Sequence, residues 1–155
     1  MTETTTESIH AFTAMLCTAL GNRINPDAES FLDLVADDIV MEFPFSFPGA
    51  PARLDGRAEI AQHLQSLAGM ITLDRMGEPF VHATMDPELT IVEVAGSGRG
   101  VMTGEPYEQR YICVIRTRNG RIVHYKDYWN PLAFLRALHG AAKVDALVGG
   151  AASHD

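Results

Sequence analysis

Between Ile71 and Trp129 the chain carries four successive stretches of strand character, and they follow its helical segments rather than alternating with them. The stretches are "ITLDRMGEPFVHATMD", closed by Pro87, then "ELTIVEVAGSGRGVMTG", "PYEQRYICVIRTRNG" and "RIVHYKDYWN". Alternating helices and strands would build a parallel sheet. Helices first and strands after predict an α+β domain, its helices packed on one face of an antiparallel sheet. The Asn119-Gly120 pair between the last two stretches predicts a tight hairpin, because both residues tolerate positive φ. A sheet that encloses helices must curve, and the Gly96–Gly100 run "GSGRG" supplies a place to bend or bulge it. That run opens no helical pattern, so it does not read as a phosphate cradle.

The helices are read from apolar spacing. From Glu7 to Leu20, Ile9, Phe12, Leu16 and Leu20 recur at helical intervals. "NPDAESFLDLV" predicts a second helix with Asn25 as N-cap and Pro26 at its first position. "DDIVMEFPF" reads as a short strand ended by a Pro-rich turn. "DGRAEIAQHLQSLAGM" is the clearest helix, capped by Asp55 or Gly56, with Ile60, Leu64 and Leu67 as its stripe and His63 bordering it. A last helix starts at Pro131 and ends near Gly140. Residues 1–6 read as disordered, 7–140 as one domain, and 141–155, rich in Ala and Gly, as a tail. The length of 155 residues suits one domain with a real core.

A net charge of -8 argues against a nucleic-acid partner, which needs clustered Lys and Arg. No stretch approaches the roughly 20 apolar residues of a membrane span. The opening "MTETTTES" is polar and does not read as a signal peptide, so the expected compartment is the cytoplasm. Cys17 and Cys113 form no CxxC and are read as buried thiols, and the six His residues show no metal-ligand spacing. With no dinucleotide, P-loop or GxSxG motif either, neither metal nor cofactor is expected.

One acid stands out. In "VHYKDYWNPL" alternation puts Asp127 on the same face as Val123, Tyr125 and Trp129. Three readings are open: a solvated charge at an edge, a structural acid bonded to Tyr125, Trp129 or a helix N-terminus, or a catalytic base. His63 is either a proton donor or electrophile, or a stripe histidine satisfied by a backbone carbonyl. Tyr107, Gln109, Tyr111 and Cys113 share one strand face, which either lines a pocket or, for Tyr111 and Cys113 especially, is plain core. Phe43, Phe45 and Phe47 in "FPFSFPG" suit the wall of a site for a flat apolar ligand, and core packing accounts for some of them. Met41, Met70, Met76, Met85 and Met102 suggest an adaptable apolar lining, or core filler. Glu93 is expected to pair with Arg110 or Arg116 across strands. Ile112, Val114 and Ile122, placed on the open face of the sheet, predict a homodimer through that face.

These segments together resemble the NTF2-like superfamily. "ADDIVMEFPF" is similar to its "DD-x-V-x-E-x-P" segment, and "DYWNP" closes a long meander as its "D-x-W-N-P" does. Within the SnoaL-like and ketosteroid-isomerase-like branch, the phenazine-biosynthesis A and B proteins look especially similar. "KDYWN" with "FLRAL" parallels their "REFMN" with "QLRAL", "GRAEIAQH" their "G-K-D-K-L-A-E-H", and "VEVAGSGR" their "VECDGHGK". The resemblance implies a cone-shaped fold, a strongly curved antiparallel sheet wrapped around N-terminal helices with a C-terminal helix and an apolar pocket inside. It places Asp127 where the phenazine proteins have a catalytic glutamate, and His63 where they have an active-site histidine. The ketosteroid isomerases carry their base in an "E-D-P" segment; here that segment is "EFP", with Phe43 in place of the base. The acid of the branch's epoxide hydrolases is likewise absent, with Ala95 and Gly96 at that strand. The implied activity is cofactor-free acid–base chemistry (isomerisation, cyclisation, or condensation and its reverse) on a small cyclic or aromatic carbonyl compound. Asp127 and His63 would be catalytic, and Phe43, Phe45, Tyr107, Gln109, Tyr125 and Trp129 would bind substrate. A non-catalytic binder of an apolar metabolite is the alternative.

Overall fold

The computed structural model describes residues 2–150, with side chains from His10 onward. The expectations for Met1 and for residues 151–155 lie outside the described residues. Helix α1 spans Thr2–Leu20, a short α2 Phe31–Leu34, β1 Val35–Glu42, β2 Arg53–Asp55 and α3 Gly56–Ala68. Strands β3 (Ile71–Met76), β4 (Phe80–Ala83), β5 (Leu89–Gly100), β6 (Pro106–Arg118) and β7 (Arg121–Trp129) follow, then α4 (Pro131–His139) and α5 (Ala141–Gly149). The α+β class and the helices-before-strands order are as the patterning predicts. The sheet runs β2-β1-β7-β6-β5-β3, with β4 also on β5, and it curls without closing. All pairings are antiparallel except β1 with β7, so the return from the first strand to the last is the one parallel seam.

The hairpin between β6 and β7 is the tight one expected, with Arg118 opposite Arg121 and positive φ at both Asn119 (53°) and Gly120 (76°). Several local expectations need correction. Helix α1 begins at Thr2, within the stretch expected as disordered. The first long strand stretch splits into β3 and β4 at Gly77-Glu78-Pro79, where Pro79 has no N–H to give a ladder. The two pieces still track β5, β3 beside Gly96–Gly100 and β4 beside Thr90–Glu93. Asn25 does not cap a helix. Its side chain accepts from the Asp27 N–H in a turn, and Ser30 caps α2 in a reciprocal capping box with Asp33. The segment after Gly140, expected as tail, forms α5, which buries Val144. Glu93 pairs with His82 of β4 at 2.6 Å, while Arg116 binds Asp86.

The glycine run makes room for neighbours. The strand β5 stays in regular register with β6 through it, and the irregularity lies on β3 between Leu73 and Arg75. A Cβ on Gly98 would lie 1.8 Å from the Thr72 carbonyl oxygen, and one on Gly100 2.0 Å from that of Ala137. Missing side chains at these points let β3 curl over and the end of α4 dock, where Thr103 Oγ1 donates to Ala137 O at 2.5 Å. The main core lies between α1, α2, α3 and the inner sheet face, and a smaller cluster of Ile71, Tyr107, Phe134 and Ala137 sits under α4. Fully buried side chains such as Leu16, Ile39, Ile60 and Ile115 each contribute about 2 kcal/mol by transfer from water. Among the described residues no helix is long and apolar enough to cross a membrane.

Candidate active site

A cavity of about 720 Å3 opens between the inner face of the sheet, α3, the Pro-rich segment after β1, and α4. Apolar groups dominate its walls. Phe12 and Phe31 come from the N-terminal helices, Met41 from the end of β1, Phe43 from the residue just past it, and Phe47 from the following turn. Phe134 of α4 closes one side, packed edge-on against Trp129 with ring centroids 5.2 Å apart. Asn130 holds α4 there, because its side chain accepts from the Leu132 N–H and Pro131 starts the helix at fixed φ.

Strand β7 brings Asp127 to this wall. Its register passes from Arg116 opposite His124 to Thr117 opposite Ile122, which leaves Val123 as the extra residue of a bulge. Ile122, Tyr125, Asp127 and Trp129 therefore turn inward, while Val123 is only half-buried. The expected face is right for Asp127 and wrong for Val123. Asp127 is 8% exposed, which rules out the solvated edge charge. Its Oδ1 has no hydrogen-bond partner. Of the three bonds proposed for a structural acid, the two to side chains are not made: the Tyr125 hydroxyl donates to Cys113 Sγ at 3.0 Å, and Trp129 Nε1 is itself buried without a partner. A desolvated carboxyl with an unfilled oxygen resists ionisation, and burial pushes Asp127 up to about 7.

His63 is placed by α3. Ile60 anchors that helix in the core with no exposed surface, and one turn on His63 borders the cavity, its ring 5.2 Å from that of Phe43. Burial lowers its pKa, so the imidazole is neutral at physiological pH. No backbone carbonyl or other protein group hydrogen-bonds it among the described residues, unlike the satisfied stripe histidine.

The third polar element is on β6. Tyr107 and Tyr111 hydroxyls lie 3.2 Å apart, and Gln109 Nε2 donates to Tyr107 Oη at 3.2 Å. Both rings line the cavity. Gln109 lies behind them. Its Oε1 accepts from the N–H groups of Asn130 (2.8 Å) and Arg110 (3.0 Å), and its Nε2 also donates to Asn130 O (2.9 Å). Burial raises Tyr107 to about 12 and Tyr111 well above the usual phenol range, so both are protonated.

The structure thus brings Asp127, His63, Phe43, Tyr107 and Trp129 to one cavity and leaves three expected contacts outside it. Tyr125 is fully buried behind the wall, and Gln109 acts through Tyr107 rather than at the surface. Phe45 is 54% exposed and packs on Tyr128 of the outer face. Pro44 ends the strand, and Ser46 N–H bonds back to Phe43 O in a turn, so the period of two does not extend past Phe43. Met41 and Met70 line the cavity, Met76 packs against the core, and Met85 and Met102 are exposed. Tyr111, which patterning favours as plain core, is a cavity residue. Its position two residues from Gln109 and four from Tyr107 on one strand face is the signal the sequence offers. Among the described residues no group of three or more His, Cys, Asp or Glu side chains is arranged to hold a metal ion.

Comparison with known proteins agrees with this architecture. The model of the SnoaL-like domain matches residues 13–125. An uncharacterised PhzA/B-like protein of Pseudomonas aeruginosa is 39% identical over 127 residues, 82% of this chain and 89% of that protein. A crystal structure of a candidate isomerase from Bacillus subtilis superposes with a TM-score of 0.70 at 34% identity, covering 86% of this chain and 94% of that one. An NTF2-like protein from Burkholderia xenovorans shares the fold with a TM-score of 0.60 at 22% identity, covering 86% of this chain and 99% of that one. The inward acid, the curled sheet and these matches together make the chain a member of the SnoaL-like family, built on the NTF2-like fold.

Proposed function

We propose that this protein is a cofactor-free acid–base enzyme that takes a proton from carbon next to a carbonyl in a small cyclic or aromatic metabolite. The observation that carries this reading is the carboxyl of Asp127, buried in an apolar cavity with one oxygen unfilled. A base with a pKa near the working pH combines a useful ionised fraction with real proton affinity. The neutral imidazole of His63 polarises or protonates an oxygen of the substrate, and Phe43, Tyr107 and Trp129 hold its flat apolar body. The reaction class is isomerisation, cyclisation, or condensation and its reverse; similarity to a PhzA/B-like protein and to a candidate isomerase supports it. The protein works as a homodimer paired through the outer face of the sheet.

Hydrogen–deuterium exchange tests the base whatever the final product is. Enolisable cyclic ketones are incubated with the protein in heavy water, and loss of the α-proton signal is followed by NMR. The wild type is expected to accelerate exchange of the accepted ketones. Asp127→Asn is expected to lower that rate by about 100-fold or more with the fold intact. Equal rates in the two proteins would remove the base assignment.

A further inference from the structure

A count of hydrogen-bond donors on β6 leaves one proton over. The amide of Gln109 cannot be flipped, because its oxygen already accepts two backbone N–H groups. Its nitrogen must therefore face Tyr107 Oη as a donor. Tyr107 and Tyr111 then hold two hydroxyl protons and share a single bond. Whichever hydroxyl donates in that bond, the other has a proton that no acceptor takes among the described residues. A buried donor left unmade is costly, so the position is one that a ligand oxygen would relieve. The pair is close to the acid. Tyr111 lies opposite Trp129 and Asp127 opposite Cys113 in the β6–β7 ladder, which makes Tyr111 and Asp127 diagonal neighbours on the inner face, about 7–8 Å apart at Cα. Asp127 also has an oxygen to spare. One wall therefore offers an unspent acceptor and, one diagonal step away, an unspent donor.

We infer that the Tyr107–Tyr111 phenol pair, held by Gln109, donates to the carbonyl oxygen of the substrate and stabilises the enolate as it forms. The inference rests on Asp127 being the base and names the group that receives the displaced charge. In the step, an Asp127 carboxylate oxygen takes a proton from the α-carbon. The electrons of that C–H bond form the carbon–carbon double bond, and the carbonyl π electrons move to oxygen. The phenol proton stays on the pair and shortens its hydrogen bond to that oxygen. Asp127 then returns its proton to carbon. The substrate class narrows to planar cyclic ketones whose oxygen reaches β6 while the acidic carbon faces β7. His63, on α3, then faces the substrate from the opposite wall as a separate neutral group.

An oxyanion that is already stable tests this without turnover. The probe is 4-nitrophenol, whose bound anion is read by its visible absorbance. Measured in an Asp127→Asn background, it meets no carboxylate on the β6–β7 wall, and the other carboxyl that lines the cavity, Glu59 of α3, accepts from the Asp55 N–H at 2.7 Å. The other groups facing this wall are Tyr107, Tyr111, Cys113 and Tyr125, all protonated near neutrality because burial raises each, and His63, which burial keeps neutral. Asp127→Asn is expected to bind the nitrophenolate more tightly than the neutral phenol. Adding Tyr107→Phe and Tyr111→Phe, which keeps both rings, is expected to weaken the anion about 10- to 100-fold and the neutral phenol less than about threefold. Should the double change not fold, Tyr107→Phe and Tyr111→Phe are compared singly: each leaves one phenol, and the loss of anion affinity is expected in the variant that lacks the hydroxyl meeting the anion. Unchanged anion affinity in the phenylalanine variants, or no anion binding by Asp127→Asn, would overturn the inference. The exchange experiment can fail while this one succeeds, and the reverse, so loss of the base and loss of the phenol pair are told apart.

Discussion

A carboxyl held at about 7 by burial is half ionised near neutrality, and two pH effects of defined sign follow. Catalysis by the ionised form rises as pH increases through about 7 and then levels off. Stability moves the other way. The unfolded chain releases this proton near the ordinary carboxyl value of 3.8, the folded one near 7. Between those values the native state binds more protons than the unfolded state, so the folded protein loses stability as pH rises, by roughly 4 kcal/mol once both are ionised. Asp127→Asn removes this dependence. Urea unfolding at about pH 4 and about pH 8 is expected to show the variant gaining on the wild type at the higher pH. Parallel curves would mean that Asp127 ionises normally in the folded protein. At this scale the sequence is a good guide to which way Asp127 points, because Tyr125 and Trp129 flank it at the strand period. It does not show Val123 displaced by a bulge, Phe45 turned out after Pro44, or Glu93 taken by His82.

Among elements, the curl of β3 over β5 decides the width of the cavity. Strand β3 meets the N-terminal helix on one side and the glycine run on the other. Gly98 is the tightest point, since any side chain there meets the Thr72 backbone, which cannot rotate away as a flexible side chain could. Gly98→Val is therefore expected to cost about 3 kcal/mol, seen as a lower midpoint in thermal or urea unfolding, and to widen the mouth bounded by Ile71 and Leu73. A variant as stable as the wild type would show that β3 moves freely. Patterning finds α1, α3, α4 and the long strands and misses α5. It misses the break at Gly77–Pro79 and takes the glycines for a bend, because what presses on Gly98 and Gly100 comes from β3 and α4, remote in sequence.

Over the whole molecule, the outer sheet face carries the apolar groups the core does not use. Ile112 is 45% exposed and lies opposite Tyr128 in the ladder, against which Phe45 packs, and Val114 adjoins them. Ile122, expected on this face, is fully buried in the core because the bulge turns it inward. The dimer proposed for this face would cover Ile112, Val114 and Tyr128. Ile112→Lys is expected to shift sedimentation from dimer to monomer with the secondary structure unchanged. A monomeric wild type, or a variant that stays dimeric, would refute that pairing.

By itself the sequence determined the α+β class, the order of its elements, the hairpin at Asn119-Gly120 and the inward face of Asp127, since each depends on near neighbours in the chain and on the periods of 3.6 and 2. The tertiary structure alone decided which polar groups in the cavity are left without partners. That Asp127 Oδ1, Trp129 Nε1 and one phenolic proton are unspent, while Tyr125 and Gln109 are fully engaged, depends on the bulge in β7, the backbone of Asn130 and the approach of α4. Hydrogen-bond satisfaction is set by groups that meet in space, and residue spacing along a chain does not encode it.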